Sequence, residues 1–507
     1  MARSWGKSTL LPALAIGALT ASGVRAAVAG GAVCAPVWIW LAALAFSAVL
    51  LGTLRWLRFD GWLTGILVCA TLVYLNYATY TDFKERNYDG PHHFFYAEYI
   101  ATHGELPPVT AGSVCSPPPL YPLLGALAIH GARWSGLATP QSSVQALSLL
   151  FSLGFVLFGV RTLQCFTADR VAQRLGAALL AFWPTSVIQS IRVHDDLPLG
   201  CFGAGVLFFL VRWQKHDRSA DLIWAVLLTV LAVFTKANAY AWVLLLLTLV
   251  TVRMAKDRLR AARVRQAGIC WVVSAASILA ATELRAAQVG ATTCHRAIGV
   301  ICDIPSRFFV GNTWRNYLTF DPGFFLGEPY LLNDPRNSAH DYFLNTLLKS
   351  SLFGAIPLGP EFNDRLSTTL ARILSYLLLG LLLYVLVGLP TAALRRMPGN
   401  GVLLLACLFM LGLLVALRVK VPLSMHADFR YVFPLLVPAC VWYAKLIEHW
   451  RRRFRPLFVA GCLLAGLTVL TSVLFFRPSD ARTKGHGRFS EIRPSGEVVQ
   501  GALACAA

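Results

Sequence analysis

Asp89-Gly90-Pro91-His92-His93 is a polar run where the neighbouring sequence is apolar. A carboxylate at the water edge of a membrane can take a proton from an acceptor hydroxyl or amine, and partial burial tunes its basicity. The two histidines can hold a phosphate or a metal ion. Equally, Asp89 can be a helix-capping residue in a turn with surface histidines beside it. Asp82 and Glu85 are rival carboxylates in the same stretch. Pro117-Pro118-Pro119-Leu120-Tyr121 follows as a stiff corner that restarts a helix and aims Tyr121.

Four further groups carry charge where an apolar chain should not. Arg192-Val193-His194-Asp195-Asp196 places two adjacent carboxylates in a very short loop. His194, Asp195 and Asp196 are candidate ligands for a divalent metal, and otherwise a solvated turn. Thr235-Lys236-Ala237-Asn238 interrupts an apolar run with a cation that asks for an anionic partner, either a phosphate or Asp195 or Asp196. Lys349-Ser350-Ser351-Leu352-Phe353-Gly354 follows a helical pattern from His340 to Leu348, and Asp428-Phe429-Arg430-Tyr431 opens a later apolar run. Lys349 and Arg430 suit a lipid phosphate, Lys as a point charge and Arg as a planar fork. Arg430 can also pair with Asp428.

The elements that must position these residues are transmembrane helices. Of 507 residues, 56% are hydrophobic and only 14% charged, and the mean hydropathy is +0.60. Apolar runs predict about 13 spans, at about 8–28, 36–54, 61–80, 143–160, 175–191, 197–212, 222–235, 239–252, 267–284, 367–388, 400–418, 429–447 and 457–475. The runs lack the alternation of a β-barrel, so the fold class is an all-α polytopic membrane protein. The basic N-terminal segment with its apolar run reads as a retained helix rather than a cleaved leader.

Basic residues collect in alternate loops: Arg55 and Arg58; Arg161, Arg170 and Arg174; Arg212, Lys215 and Arg218; 253–265; Arg395 and Arg396; Arg451 to Arg455. The positive-inside rule puts these loops in the cytoplasm and 81–142, 192–196, 236–238, 285–366 and 419–428 outside. Every polar group named above falls in the outer set. The net charge of +20 is thus topological, and no nucleic-acid partner is expected. Membrane lipids are partners throughout. The divisions are 1–60 as N-terminal helices, 61–285 as a core including the outer loop 81–142, 286–366 as a large outer loop, 367–476 as C-terminal helices and 477–507 as a polar tail. Twelve cysteines show no CxxC pair. Cys294 and Cys302 are a candidate disulfide if that side is oxidising.

The ordered set Asp-x-x-His, His-Gly-x-Leu-Pro, Pro-Pro-Leu-Tyr, His-Asp-Asp, Thr-Lys-x-Asn, Leu-Lys-Ser-Ser-Leu-Phe-Gly and Asp-x-Arg-Tyr resembles the GT-C superfamily of membrane glycosyltransferases. It is most similar to bacterial protein mannosyltransferases and lipid A aminoarabinose transferases, over about residues 61–447. The resemblance implies a GT-C-like bundle with two large outer loops in a bacterial inner membrane, active on the periplasmic face. It implies a polyprenyl-phosphate sugar donor and a lipid, glycan or protein acceptor. Asp89 takes the place of the catalytic base, Asp195 and Asp196 that of the acidic second loop, with Asp196 favoured, and Arg430 that of the arginine near the donor phosphate. His92, His93, Tyr121, Lys236, Lys349 and Tyr431 are the expected substrate contacts. Many relatives carry Asp-Glu where this chain has Asp89-Gly90, so one acid is missing. No organic cofactor is implied, and a divalent metal is possible. A transporter or flippase of an anionic lipid is the alternative, though neither inverted repeats nor broken mid-span helices are evident.

Overall fold

The computed structural model describes residues 59–79, 89–108, 115, 117–136, 138–289, 309–331, 342–354, 362 and 364–477. The expected spans 8–28 and 36–54, Asp82, Glu85, the Cys294–Cys302 pair and the tail from 478 lie outside the described residues. The helices are α1 (Gly61–Thr79), α2 (Gly90–His103), α3 (Leu120–Ser135), α4 (Pro140–Phe166), α5 (Arg170–Phe182), α6 (Pro184–Gln189), α7 (Asp196–His216), α8 (Ser219–Val233), α9 (Tyr240–Lys256) and α10 (Ala261–Val289). There follow α11 (Trp314–Leu318), α12 (Pro322–Gly327), α13 (Phe343–Phe353), α14 (Arg365–Gly388), α15 (Ala392–Arg395), α16 (Asn400–Lys420), α17 (Leu436–Arg453) and α18 (Arg455–Phe475). A 3₁₀ stretch, Phe429–Leu435, leads into α17. Among the described residues the only β pairing is one bridge, Phe309 with Leu423.

Nine helical segments among the described residues are long and apolar enough to cross a bilayer. Two expected spans come out differently. The run at 175–191 breaks into α5 and α6, because Pro184 pushes Trp183 into an extended conformation (φ −58°, ψ 134°). The run at 222–235 is α8, an apolar helix of only 15 residues. Within the expected outer loop 81–142 lie α2 and α3, which pack on each other. Pro91 starts α2, and Gly104, left-handed at φ 73°, ends it by donating its N–H to Ile100 O at 2.9 Å.

The centre of the bundle is α7. Buried residues make up 89% of its apolar window, and it packs against α4, α8, α9, α16 and the 429–435 stretch. Close approach depends on Gly203, where a Cβ would stand 2.4 Å from the Trp242 ring. Phe155 stacks on Phe433 at 4.2 Å between centroids, tying α4 to the 429–435 stretch. One end of α7 carries Asp196 and the other Lys215 and His216, so the acidic and basic loops sit at opposite ends of the helix.

Gly203→Ala should cost about 1–3 kcal/mol by overpacking against Trp242, whereas Gly131→Ala, with open space around the new methyl, should be neutral or better. Melting temperatures in detergent check this, and equal shifts for the two variants would refute the close-packing role of Gly203.

Candidate active site

Each charged residue of the site sits at the start of a helical element, at the same end of α7 as Asp196. Asp89 occupies the N-cap position of α2, yet its carboxylate caps nothing there. Its backbone carbonyl accepts from the His92 and His93 N–H groups at 3.1 Å each. The side chain turns instead to the loop between α6 and α7 and to the 429–435 stretch. His194 Nε2 lies 2.8 Å from Asp89 Oδ2, and Arg430 Nη1 donates to the same oxygen at 2.8 Å. The capping alternative is therefore set aside by geometry.

His194 joins the two halves of the cluster. Its Nδ1 is 2.8 Å from Asp195 Oδ1 and 3.0 Å from Asp196 Oδ2. Lys236 Nζ lies 2.8 Å from Asp195 Oδ1 and 2.6 Å from Asp196 Oδ1. Arg430 Nε faces Asp428 Oδ2 at 3.5 Å and Asp196 Oδ2 at 3.7 Å. Arg430 also donates from Nη2 to the Tyr431 hydroxyl at 3.2 Å, and Lys236 sits 5.3 Å from the centre of the Tyr431 ring. His93 packs against His194 at 4.2 Å between rings. Tyr121 is buried, shares a 3.2 Å hydrogen bond with Ser148, and feels Asp195 and the His194 backbone.

Burial and charge act against each other here. Burial alone would raise the Asp89 carboxyl, but His194 and Arg430 outweigh it and hold the group well below the usual carboxylate range. Burial would likewise raise Asp195, which Lys236 and His194 hold well below that range. Burial disfavours charge on His194, yet Asp196 and Asp89 raise it to about 9. Charge on that imidazole is matched by Asp89 at Nε2 and by the Asp195 and Asp196 carboxylates near Nδ1, toward which the Asp196 backbone N–H also points at 3.0 Å. His93 goes the other way: burial, then the His194 charge, drop it to about 3, so it is a neutral imidazole. Lys236 is raised, because Asp195 and Asp196 overcome its burial.

Two sets of groups are spaced for a metal ion: Asp89, His93 and His194, and His194, Asp195 and Asp196, with ligand atoms within 4.8 Å of one another in each. Oxygen and imidazole donors suit Mg²⁺, Mn²⁺ or Zn²⁺. Asp195 Oδ2 is buried without a hydrogen-bond partner, and a cation held by His194, Asp195 and Asp196 would take the place of the His194 proton and of the Lys236 contacts.

The sequence brings most of its predicted residues here: Asp89, His93, Tyr121, His194, Asp195, Asp196, Lys236, Arg430 and Tyr431. Two differ. His92 is only partly buried and takes no part in the hydrogen bonds of the cluster among the described residues. Lys349, expected as a phosphate ligand at the outer interface, is fully buried. It donates to Phe325 O at 2.6 Å, Glu328 O at 2.8 Å and Ser375 Oγ at 2.7 Å, so as an ammonium it has no N–H left for a substrate. One turn earlier on α13, Asn345 exchanges hydrogen bonds of 2.7 and 2.8 Å with the Asp321 backbone. Together they clamp the 321–328 segment to α13. Burial pushes Lys349 down to about 7. Sequence reasoning passed over Arg192, buried beside the cluster; the signal was a fourth charged residue in so short a loop.

Lys236→Met should cost about 3–5 kcal/mol, because it leaves two buried carboxylates without their counter-charge. Adding Asp195→Asn should recover part of that loss. A double-mutant cycle on melting in detergent reads it, and strictly additive losses would argue against the bridge.

No protein-family model and no curated relative matches the chain. Among solved structures, the oligosaccharyltransferase AglB of Archaeoglobus fulgidus, in complex with an inhibitory peptide and a dolichol-phosphate, is similar at a TM-score of 0.46 and 14% identity, over 87% of this chain and 59% of that one. An Archaeoglobus fulgidus oligosaccharyltransferase complexed with Zn and sulfate gives 0.45 and 14%, over 87% and 57%. ArnT from Cupriavidus metallidurans bound to undecaprenyl phosphate gives 0.35 and 14%, over 76% and 77%. The chain thus spans less than two thirds of the length of the archaeal chains. At TM-scores below 0.5 these likenesses carry no function with them.

Proposed function

We propose that the chain is a GT-C-type membrane glycosyltransferase that moves a sugar from a polyprenyl-phosphate donor to an acceptor on the periplasmic face of a bacterial inner membrane. One observation carries it: Asp89 Oδ2 is shared by His194 and Arg430 at one end of an apolar helix bundle. That brings the base expected from the first outer loop together with the acidic second loop and the arginine of the late span. The order of the motifs along the sequence supports the same assignment.

In this mechanism the acceptor O–H or N–H attacks the anomeric carbon from the face opposite the phosphate. The new bond forms as the bond from carbon to the phosphate oxygen breaks, the configuration inverts, and polyprenyl phosphate leaves. The acceptor proton passes to Asp89. A carboxylate held this low is a weak base, so it takes the proton only after bond formation has acidified the acceptor atom. His194 and Arg430 fix the direction of its lone pairs. Arg430 and Lys236, paired as they are with carboxylates, add positive charge at this end of the bundle, which favours negative charge growing on the leaving phosphate. His194, Asp195 and Asp196 suit a divalent cation, which when bound adds electrostatic stabilisation of that same charge.

Radiolabelled polyprenyl-phosphate sugar in proteoliposomes tests the reaction. Asp89→Asn should lower transfer by roughly 10²–10⁴-fold; unchanged transfer removes Asp89 as base, and lipid translocation without transfer makes the chain a flippase. The acid limb of the pH profile should fall below the ordinary aspartate range, because Asp89 stays ionised there. In a separate measurement, chelator treatment should reduce transfer and added Mn²⁺ or Mg²⁺ restore it. Transfer indifferent to thorough chelation would exclude a required ion.

A further inference from the structure

The cations that a phosphate would be expected to meet are already engaged. Arg430 lies among Asp89, Asp428 and Asp196. Lys236 bridges Asp195 and Asp196, and Lys349 serves the 321–328 segment. Arg192 differs from all three. It is only 5% exposed, and its Nε is sealed from solvent without a hydrogen-bond partner. Among the described residues its guanidinium makes no ion pair or hydrogen bond. Asp428 feels its charge but is not within ion-pair distance, and is itself occupied by Arg430, from whose N–H it accepts at 3.1 Å. A buried guanidinium without an anion is costly, so the site is built for a partner that arrives.

Hydrogen bonds tie the elements around Arg192 to one another. Upstream of Arg192, Trp183 Nε1 donates to Ser351 O at 2.6 Å, and the Thr185 hydroxyl bonds the Ser351 and Ser350 carbonyls. These bonds satisfy carbonyls near the end of α13 and leave Arg192 out. Ser350 Oγ accepts the Phe429 N–H at 2.9 Å, which ties the same end of α13 to the residue preceding Arg430. Gly354 ends α13 at φ +76°, where other residues are strained, and a Cβ there would come within 3.4 Å of Arg192 Nη2. The glycine keeps a side chain off the guanidinium, two residues along the chain from His194.

We propose that Arg192 is the residue that receives the anionic phosphate of the substrate, its planar fork binding two phosphate oxygens over Gly354. Arg430 then serves mainly to orient Asp89. The inference rests on the glycosyltransferase reading only for the identity of the ligand, a lipid phosphate.

Purified full-length protein in detergent can be tested by native mass spectrometry with three probes: undecaprenyl phosphate, neutral undecaprenol and inorganic phosphate. The wild type should prefer the lipid phosphate to the alcohol. Arg192→Met should weaken lipid-phosphate binding by roughly tenfold to a hundredfold, the range of a charge-assisted hydrogen bond, and leave undecaprenol binding unchanged. Arg192→Lys, which keeps the charge but loses the fork, should fall between. Retained preference in Arg192→Met, or equal loss of both lipids in a variant that still purifies as a folded monodisperse protein, overturns the assignment. Arg192-dependent displacement of the lipid by inorganic phosphate supports the anion site and identifies the phosphate alone as its ligand. If the wild type binds lipid phosphate through Arg192 but transfers no sugar, the glycosyltransferase reading fails and Arg192 stands. If transfer occurs and Arg192→Met binds like wild type, Arg192 fails alone. A wild type that does not distinguish the two lipids overturns Arg192 as a phosphate site, and the glycosyltransferase reading falls with it only if no sugar is transferred.

Discussion

Arg430 Nη1 and Asp89 Oδ2 meet at 2.8 Å across 341 residues of sequence, and one end of the bundle is organised around that contact. Asp89 stands just before α2, and Arg430 lies in the 3₁₀ stretch that feeds α17. For the two to touch, α4, α7 and the 429–435 stretch must pack closely, which Gly200 of α7 against Phe433 and Phe155 on Phe433 permit. A charge pair buried this deeply is strongly destabilising when one partner is removed. It therefore acts as a register mark between the start of α2 and the 429–435 stretch.

Around that contact, carboxylates and cations alternate rather than segregate. Asp89, Asp195, Asp196 and Asp428 face His194, Lys236 and Arg430. Such a lattice keeps Asp89 and Asp195 ionised in a place where burial alone would push them toward the neutral acid. It also holds the geometry without substrate, which suits a reaction governed by positioning and by growing charge on a phosphate. Arg192 stands outside the lattice, close by and unpaired among the described residues. The site thus separates the groups that hold one another from the group left to hold something else.

The distribution of charge along the sequence was enough to bring Asp89, His194, Asp195, Asp196, Lys236 and Arg430 to one end. Lipid does not tolerate unpaired charge, and alternating basic loops assign the ends of the helices. The same logic misjudged Lys349. Its spacing on α13 is that of an interfacial cation, but its partners are the Phe325 and Glu328 carbonyls, and a backbone acceptor leaves no mark in residue type. The expected span at 175–191 failed for a related reason. Hydropathy averages over Trp183-Pro184, while the proline ring acts on a single dihedral.

Residue types and their order therefore determined the helical class, the clustering of polar groups at loops and the candidate acids, because solvation by lipid acts on composition directly. Only the tertiary structure decided which cation each carboxylate takes, that His194 is the hub, and that Arg192 is buried without a partner among the described residues. Pairing depends on distances of a few ångströms between helices far apart in sequence. Those distances come from side-chain packing, in which Gly203, Trp242 and Phe433 matter as much as the charges they bring together.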